Sequence, residues 1–394
     1  MKIVCNVCNK EINEKDLNDN MCPHCSCELG LSHEEVDELY HFALKYFEQN
    51  DLVNSKRLFY IVSKYDVIEA ILMLASLYYD GNEEEGANYL EAFKYYKIAA
   101  DKNNPIGLYG LGLMYSNGDG IKKDPKKALE CFKLAAKQDN ASAMYTLGVI
   151  YEQGLDVVTD YNEALYWFEK AGEFGLLPAQ TKAANYYFEG SKVEKNPEKA
   201  AYWSEKLAEQ GVVDAQYNMG RIYLSGNGKE VDDEKAAYWF KQAAEQGDSE
   251  AQNVLAACYY VGRGVEQDYS QTFYWYKKSA ENGNVEGMFS VAARYYEGEG
   301  TEVNYEQAAY WYKKAAELGD RDAQVLIGEC YELGRGVDQN YDEAVVWYEE
   351  AAKQGDKDAQ YRVAQYYIEG TKVPQNLEKG LYWYQEASKT NNEK

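Results

Sequence analysis

In "DAQYNMGRIYLSG" (214–226), Ala215, Met219, Ile222 and Tyr223 recur at the three- and four-residue steps of one helical face. The pattern predicts a short helix that Gly226 ends, since glycine takes a left-handed C′ conformation at low cost. In "DYNEALYWFEKAGEFG" (160–175), Ala164, Trp167 and Ala171 mark a second helix that begins at Asp160. Asn88, Asp124, Asp160, Asn196, Asp232, Asp268, Asn304, Asn340 and Asn376 stand 36 residues apart, and all are preferred N-cap types. Pro125 and Pro197 follow two of them, where the missing N–H costs nothing. Trp167, Trp203, Trp239, Trp275, Trp311, Trp347 and Trp383 keep the same interval, as do tyrosines from Tyr79 to Tyr367 and glycines from Gly118 to Gly370. Two capped helices per 36-residue period make an αα-hairpin, and repetition of that kind predicts a solenoid. One hairpin cannot bury an indole alone. The reading therefore expects the Tyr-Trp pairs to be structural mortar, covered by the following unit.

A 36-residue two-helix unit with alanine pairs, "YW[FY]" in its second helix and "AQxxLGxxYxxG" in its first resembles the Sel1-like repeat, a relative of the tetratricopeptide repeats. "DAQYNMGRIYLSG", "EAQNVLAACYYVG" and "DAQVLIGECYELG" carry the likeness, which extends from near Ile68 to the C-terminus. The resemblance implies an all-α fold, an α-solenoid wound as a right-handed superhelix, acting as a curved scaffold for protein–protein contacts. The expected organisation is a zinc ribbon over 1–30, a divergent capping hairpin over 33–68 and about nine repeats over 69–394. The hairpin is set apart because Lys56 replaces the usual small residue and Phe59 the tryptophan.

Composition narrows the partners. Sixty-six acidic against 41 basic residues give a net charge of −25, which repels nucleic-acid phosphates and anionic membranes. The longest apolar stretch, "AILMLASLYY" (70–79), is too short to span a bilayer, and "MKIVCNVCNK" lacks the apolar core of a secretory signal. Five of eight cysteines crowd the first 27 residues and three are scattered, so no disulfide framework is expected and a reducing, cytoplasmic location is.

"CNVC" (5–8) and "CPHC" (22–25) are two Cys-x-x-Cys knuckles, each able to turn two thiolates towards one tetrahedral Zn²⁺. Cys5, Cys8, Cys22 and Cys25 are the expected ligands of a structural zinc site, with Cys27 and His24 as competitors. A four-sulfur shell leaves no open position for catalysis, and a segment of this size takes most of its folding energy from the metal. All three histidines (His24, His33, His41) precede the repeats, which removes Ser-His and Cys-His nucleophile pairs from the array. The Ser-x-x-Lys motif of β-lactamase chemistry occurs nowhere. "GNG", "GRG" and "GEG" recur with the repeat without Gly-Lys-Ser/Thr after them, which fits turns and not phosphate loops. Cys131, Cys258 and Cys330 read as small buried hydrophobes.

Comparing repeats separates fixed positions from free ones. The free ones include Asn185 and Arg221 in one series, Phe188, Tyr260 and Tyr296 in a second, and Tyr217 and Asn253 in a third, all on one face of the first helices. In related solenoids those helices line the concave side. The face is therefore the expected partner groove, with Phe188, Tyr217, Tyr260 and Tyr296 as apolar anchors and Asn185, Arg221 and Asn253 as polar selectors. The alternative use of the aromatics is lateral packing between units. The functional expectation is a non-enzymatic adaptor for a peptide or protein segment, favoured if basic, with a regulatory subunit of one partner enzyme as the alternative.

Overall fold

The structure, a computed structural model, describes residues 2–5, 9–17, 19–24, 26–81 and 86–389. Two compact units divide it, 1–195 and 196–394. The first opens with an antiparallel pair, β1 (Lys2–Val4) and β2 (Glu11–Asn13). Nine helices follow: α1 (His33–Glu48), α2 (Leu52–Ser63), α3 (Ile68–Asp80), α4 (Tyr89–Asp101), α5 (Pro105–Asn117), α6 (Pro125–Ala136), α7 (Ala141–Gln153), α8 (Tyr161–Glu173) and α9 (Leu177–Glu189). The second unit holds α10 (Pro197–Glu209), α11 (Val213–Ser225), α12 (Asp233–Glu245), α13 (Ser249–Val261), α14 (Tyr269–Glu281), α15 (Val285–Glu297), α16 (Tyr305–Glu317), α17 (Arg321–Leu333), α18 (Tyr341–Lys353), α19 (Lys357–Glu369) and α20 (Leu377–Ser388). From α3 onward the odd-numbered helices are the first of each hairpin and the even-numbered the second.

Each hairpin is pinned at the places its sequence marks. The side chains of all nine predicted Asn and Asp caps accept a backbone N–H from the first turn of the second helix. In seven repeats the cap's own N–H reaches back to the carbonyl of the periodic tyrosine, as in Asp268 to Tyr259 at 3.0 Å and Asn340 to Tyr331 at 2.9 Å. That bond closes the interhelical loop. Gly226 ends α11 with φ 73°, the left-handed geometry that favours glycine. The second glycine of each pair has a different task. Gly264 has φ 72°, and a Cβ there would lie 1.9 Å from the Asp233 carbonyl oxygen at the start of α12. The turns of "GNG", "GRG" and "GEG" thus rest on the preceding repeat's second helix.

The aromatic packing differs from the sequence reading. In four repeats the deepest ring is the residue after the tryptophan, and in a fifth the residue after Cys131: Phe168, Phe240, Tyr312, Tyr348 and Phe132 are 0–3% exposed. Phe240 lies so close to α11 that a Cβ at Gly220 would meet its ring at 2.6 Å. The tryptophans range from buried (Trp203, Trp275, Trp383) to half-buried. Trp347 packs against a core built mainly from α15, α16 and α17, and Trp383 is buried although no described helix follows α20. One residue is a 100° turn of the helix, so the ring after the tryptophan lies against the first helix of its own hairpin while the indole points to a different side. The expectation that the following unit covers the indole is corrected accordingly. The tyrosine of each pair is not mortar either: Tyr202, Tyr238, Tyr274, Tyr310 and Tyr382 are about half exposed.

Candidate functional site: the first-helix face and the N-terminal knuckles

The odd-numbered helices bury their alanines and glycines against the deep rings and turn a second stripe outward. Asn185 and Phe188 on α9 are exposed, Phe188 by 63% with the Lys195 ammonium 5.8 Å from its ring centroid. On α11 Arg221 is exposed and lies 5.9 Å from the Tyr217 ring centroid. Tyr217 is half-buried on Phe240, with centroids 5.7 Å apart. Tyr260 on α13 packs edge-on to Tyr269 at 5.8 Å under the Arg294 guanidinium, and Tyr296 on α15 does the same with Tyr305 at 5.1 Å under Arg335. These three tyrosines therefore spend much of their ring area on lateral packing and present the remainder. Asn253 is a plain departure: it is 5% exposed, and its Oδ1 finds no donor among the described residues. It occupies the place that Tyr217 and Phe289 take in neighbouring repeats, over the ring of the paired helix, and so faces inward.

Two further features of these helices escaped the sequence reading. Gln180, Gln216, Gln252, Gln324 and Gln360 are buried, and each donates its Nε2 hydrogen to the carbonyl eight residues back, at 2.9–3.2 Å. Three of them also accept from the end of the next second helix: Gln246 to Gln216, Asn282 to Gln252 and Gln354 to Gln324. A chain of amides thus rivets consecutive hairpins. Its signal was the glutamine of "AQ", which recurs in five repeats on a face otherwise apolar. Second, Glu152 on α7 accepts from Lys182, Lys192 and Tyr186 at 2.8–2.9 Å. Glu332 on α17, five periods on (332 − 152 = 180), is paired likewise with Lys372 at 3.1 Å and Arg362 at 3.5 Å. Glu329, Glu332, Arg362, Gln365, Tyr366 and Lys372 line a polar recess of about 380 Å³ on this face.

At the N-terminus one backbone turn occurs twice. Cys5 accepts through its carbonyl from Asn9 at 2.8 Å and donates its N–H to Lys10 at 3.0 Å. Cys22 does the same with Ser26 at 2.8 Å and Cys27 at 2.8 Å. Asn9 and Ser26 share φ near +55° (53° and 56°), and the flanking pairs Val4–Glu11 and Met21–Glu28 have the same register. His24 donates its backbone N–H to Cys22 Sγ at 3.4 Å. Cys5 and Cys22 are buried, while Cys8 and Cys25 lie outside the described residues. In this superposition of turns Cys27 matches Lys10 and not a knuckle cysteine. The segment is not a loose appendage: Ile3, Ile12, Leu17 and Leu29 share one core with Leu39, Leu58, Phe59 and Leu74. Arg57 on α2 donates to the carbonyls of Lys15 at 2.7 Å and Glu14 at 3.0 Å.

Burial pushes the thiols of Cys131, Cys258 and Cys330 up to about 11, which keeps them protonated and unreactive at neutral pH. Among the described residues no helix is long and apolar enough to cross a membrane.

Known proteins show the same architecture. A solved structure of a protective antigen from uropathogenic Escherichia coli strains, with an SLR fold, is 29% identical over 90% of this chain and 84% of its own, with a TM-score of 0.59. A Sel1 repeat protein from Oxalobacter formigenes is 28% identical over 83% of this chain and 93% of its own, with a TM-score of 0.51. An ERAD-associated E3 ubiquitin-protein ligase component of Arabidopsis thaliana is 40% identical over 55 residues, which span 14% of this chain and 9% of that protein. The family model described as Sel1 repeat matches nine successive segments, from 68–104 to 357–392, leaving only 174–176 between them. With nine repeats in register and hairpins closed at the same caps and glycines, the chain belongs to the Sel1-repeat family.

Proposed function

We propose that this chain is a non-enzymatic scaffold that holds a peptide or protein segment along the concave side lined by its first helices, in a reducing, cytoplasmic setting. Sel1-repeat proteins generally mediate protein–protein interaction, and the Arabidopsis relative is by its description a component of a ligase assembly. The observation that carries the reading is the contrast within each first helix. Positions facing the core repeat from unit to unit, whereas Asn185, Phe188, Arg221 and Gln365 are open to solvent and differ. Phe188 and Arg221 are the strongest candidate contacts, an exposed aromatic ring and an exposed guanidinium. Tyr217, Tyr260 and Tyr296 add ring edges. The acid surplus of the chain favours a basic partner.

The same proposal gives the N-terminal segment a structural Zn²⁺ held by Cys5, Cys8, Cys22 and Cys25. The duplicated backbone turn at Cys5 and Cys22 supports it, because each turn opens a Cys-x-x-Cys motif of the kind that binds zinc. The metal would supply a cross-link and no reaction.

The test is a crosslinking capture from the source cell with the full chain and with a Phe188→Ser, Arg221→Glu variant, both side chains being exposed. The expected result is a stoichiometric partner lost from the variant while its melting curve is unchanged. Equal recovery by both proteins would refute the assignment of this face.

A further inference from the structure

The loop from α5 into α6 reads "GIKKDPKK" (120–127), which sets four lysines within six residues of a chain whose net charge is −25. At the place of Lys122 later repeats carry Glu194, Glu230, Glu266, Glu302 and Asp338, and at the place of Lys126 they carry Glu198, Glu234, Glu306 and Asp342. The repeat therefore accepts acid at both positions. Acid also suits them, because negative charge near a helix N-terminus is stabilising and positive charge is not. The first turn of α6 has no acidic residue, so its lysines stand against the helix dipole. The needs of the fold do not explain them.

The structure gives these charges a shape, all of it within the first compact unit. Phe93 of α4 and Tyr115 of α5 meet edge-on with ring centroids 6.0 Å apart. With Ile121 they form the half-buried apolar part of a recess of about 600 Å³, which the four exposed lysines also line. The Lys127 ammonium lies 5.3 Å from the Tyr115 ring centroid. Two carboxylates, Asp124 and Asp156, share the recess. Asp124 is already engaged: it accepts the Lys127 backbone N–H at 3.1 Å as the cap of α6, and its other oxygen lies 3.7 Å from the Lys127 ammonium. The ammonium groups of Lys122, Lys123 and Lys126 form no ion pair or hydrogen bond among the described residues. The corresponding recess beside α12 is lined by Asp233, Glu234 and Glu266 and has the opposite sign.

We propose that the recess beside α6 binds an acidic peptide segment of a partner protein, in which Asp or Glu side chains flank one apolar residue. The three unpaired ammonium groups take the carboxylates, and the Phe93, Tyr115 and Ile121 surface takes the apolar side chain. A short peptide suits it better than a long polyanion. At about 150 mM salt charges act over about 8 Å, so a peptide within the recess feels chiefly the lysines, whereas a nucleic acid or an anionic membrane would also meet the acid surplus around them. The site lies chiefly on a loop and two second helices, apart from the first-helix stripe, and prefers the opposite charge.

Fluorescence anisotropy of a labelled peptide with Glu on both sides of one Phe, titrated with the full chain at about 150 mM salt, tests this. Saturable binding is expected, several-fold weaker when Gly replaces the Phe and lost when Lys replaces the Glu. Lys122→Glu and Lys126→Glu install residues that other repeats already carry, so melting should be unchanged while each lowers affinity by about tenfold or more. Lys313→Glu, the same change of charge at an exposed position of α16, should leave affinity within about twofold of wild type. The Phe188→Ser, Arg221→Glu variant should also bind as wild type does, which separates this site from the first-helix reading. An acidic peptide that does not bind would overturn the proposal. So would K122E and K126E variants that bind it like the wild type, or a short single-stranded DNA of equal charge that binds as tightly.

Discussion

Glu152 is a carboxylate on which burial and bonding act in opposite directions. Burial alone would raise its pKa, but hydrogen bonds from Lys182, Lys192 and Tyr186 and the Lys182 charge outweigh burial and hold it at about 2, against an ordinary value of 4.5. Glu332 is lowered by the same arrangement. Because the folded-state pKa is depressed, the stabilisation is complete above pH 4.5 and is lost as pH falls towards 2. Glu152→Gln should therefore lower unfolding free energy at pH 7 by about 1–3 kcal/mol, and the gap to wild type should narrow as pH drops through that window. Urea titrations at neutral and acidic pH measure it. A gap independent of pH would show that the charge contributes nothing. The cluster was invisible in the sequence because its members lie 30 to 40 residues apart (152, 182, 192) and only the stacking of repeats brings them together.

At the scale of helices and turns, much more was legible. N-caps and C′ glycines act within a few residues of themselves, so Asp232, Asn304 and Gly226 could be assigned from spacing alone and stand where expected. The glycines of the turns are not equivalent, however. Gly247 has φ 96° with nothing within 4 Å of a Cβ, whereas Gly264 faces the Asp233 carbonyl at 1.9 Å. Gly247→Ala should cost about 1 kcal/mol, the penalty of a left-handed alanine, and Gly264→Ala at least about 2 kcal/mol because the neighbouring repeat must also move. Chemical denaturation of the two variants compares them directly. Equal costs would mean that the turn does not bear on the preceding helix. Sequence misjudged the tryptophans for a related reason: periodicity marks a position as fixed but does not say which neighbour covers it.

For the molecule as a whole, the N-terminal segment and the first hairpins are one packing unit. Ile3, Leu17 and Leu29 share a core with Leu39, Phe59 and Leu74, and Tyr65 after α2 bonds to Leu29 and Asn20. If zinc holds the segment, its removal reaches the hairpins: a chelator should reduce amide-exchange protection in α1 to α3 while leaving α12 to α18 unchanged, since repeats couple chiefly to their neighbours. Exchange mass spectrometry with and without chelator, beside a metal assay expected to give one zinc per chain, provides the measurement. Undiminished protection in α1 to α3 would show that the array's start does not depend on the metal.

Sequence by itself determined the period, the two helices of each hairpin and their ends, because caps and left-handed glycines act through bonds only a few residues long. It also shows two Cys-x-x-Cys motifs, at 5–8 and 22–25. Tertiary structure alone decided that in four repeats the ring after the tryptophan is the deeper one, that Asn253 faces inward while Arg221 faces out, and that glutamines tie hairpin to hairpin. Those outcomes depend on what the adjacent repeat places over a side chain some 30 residues away, and no local pattern encodes that distance.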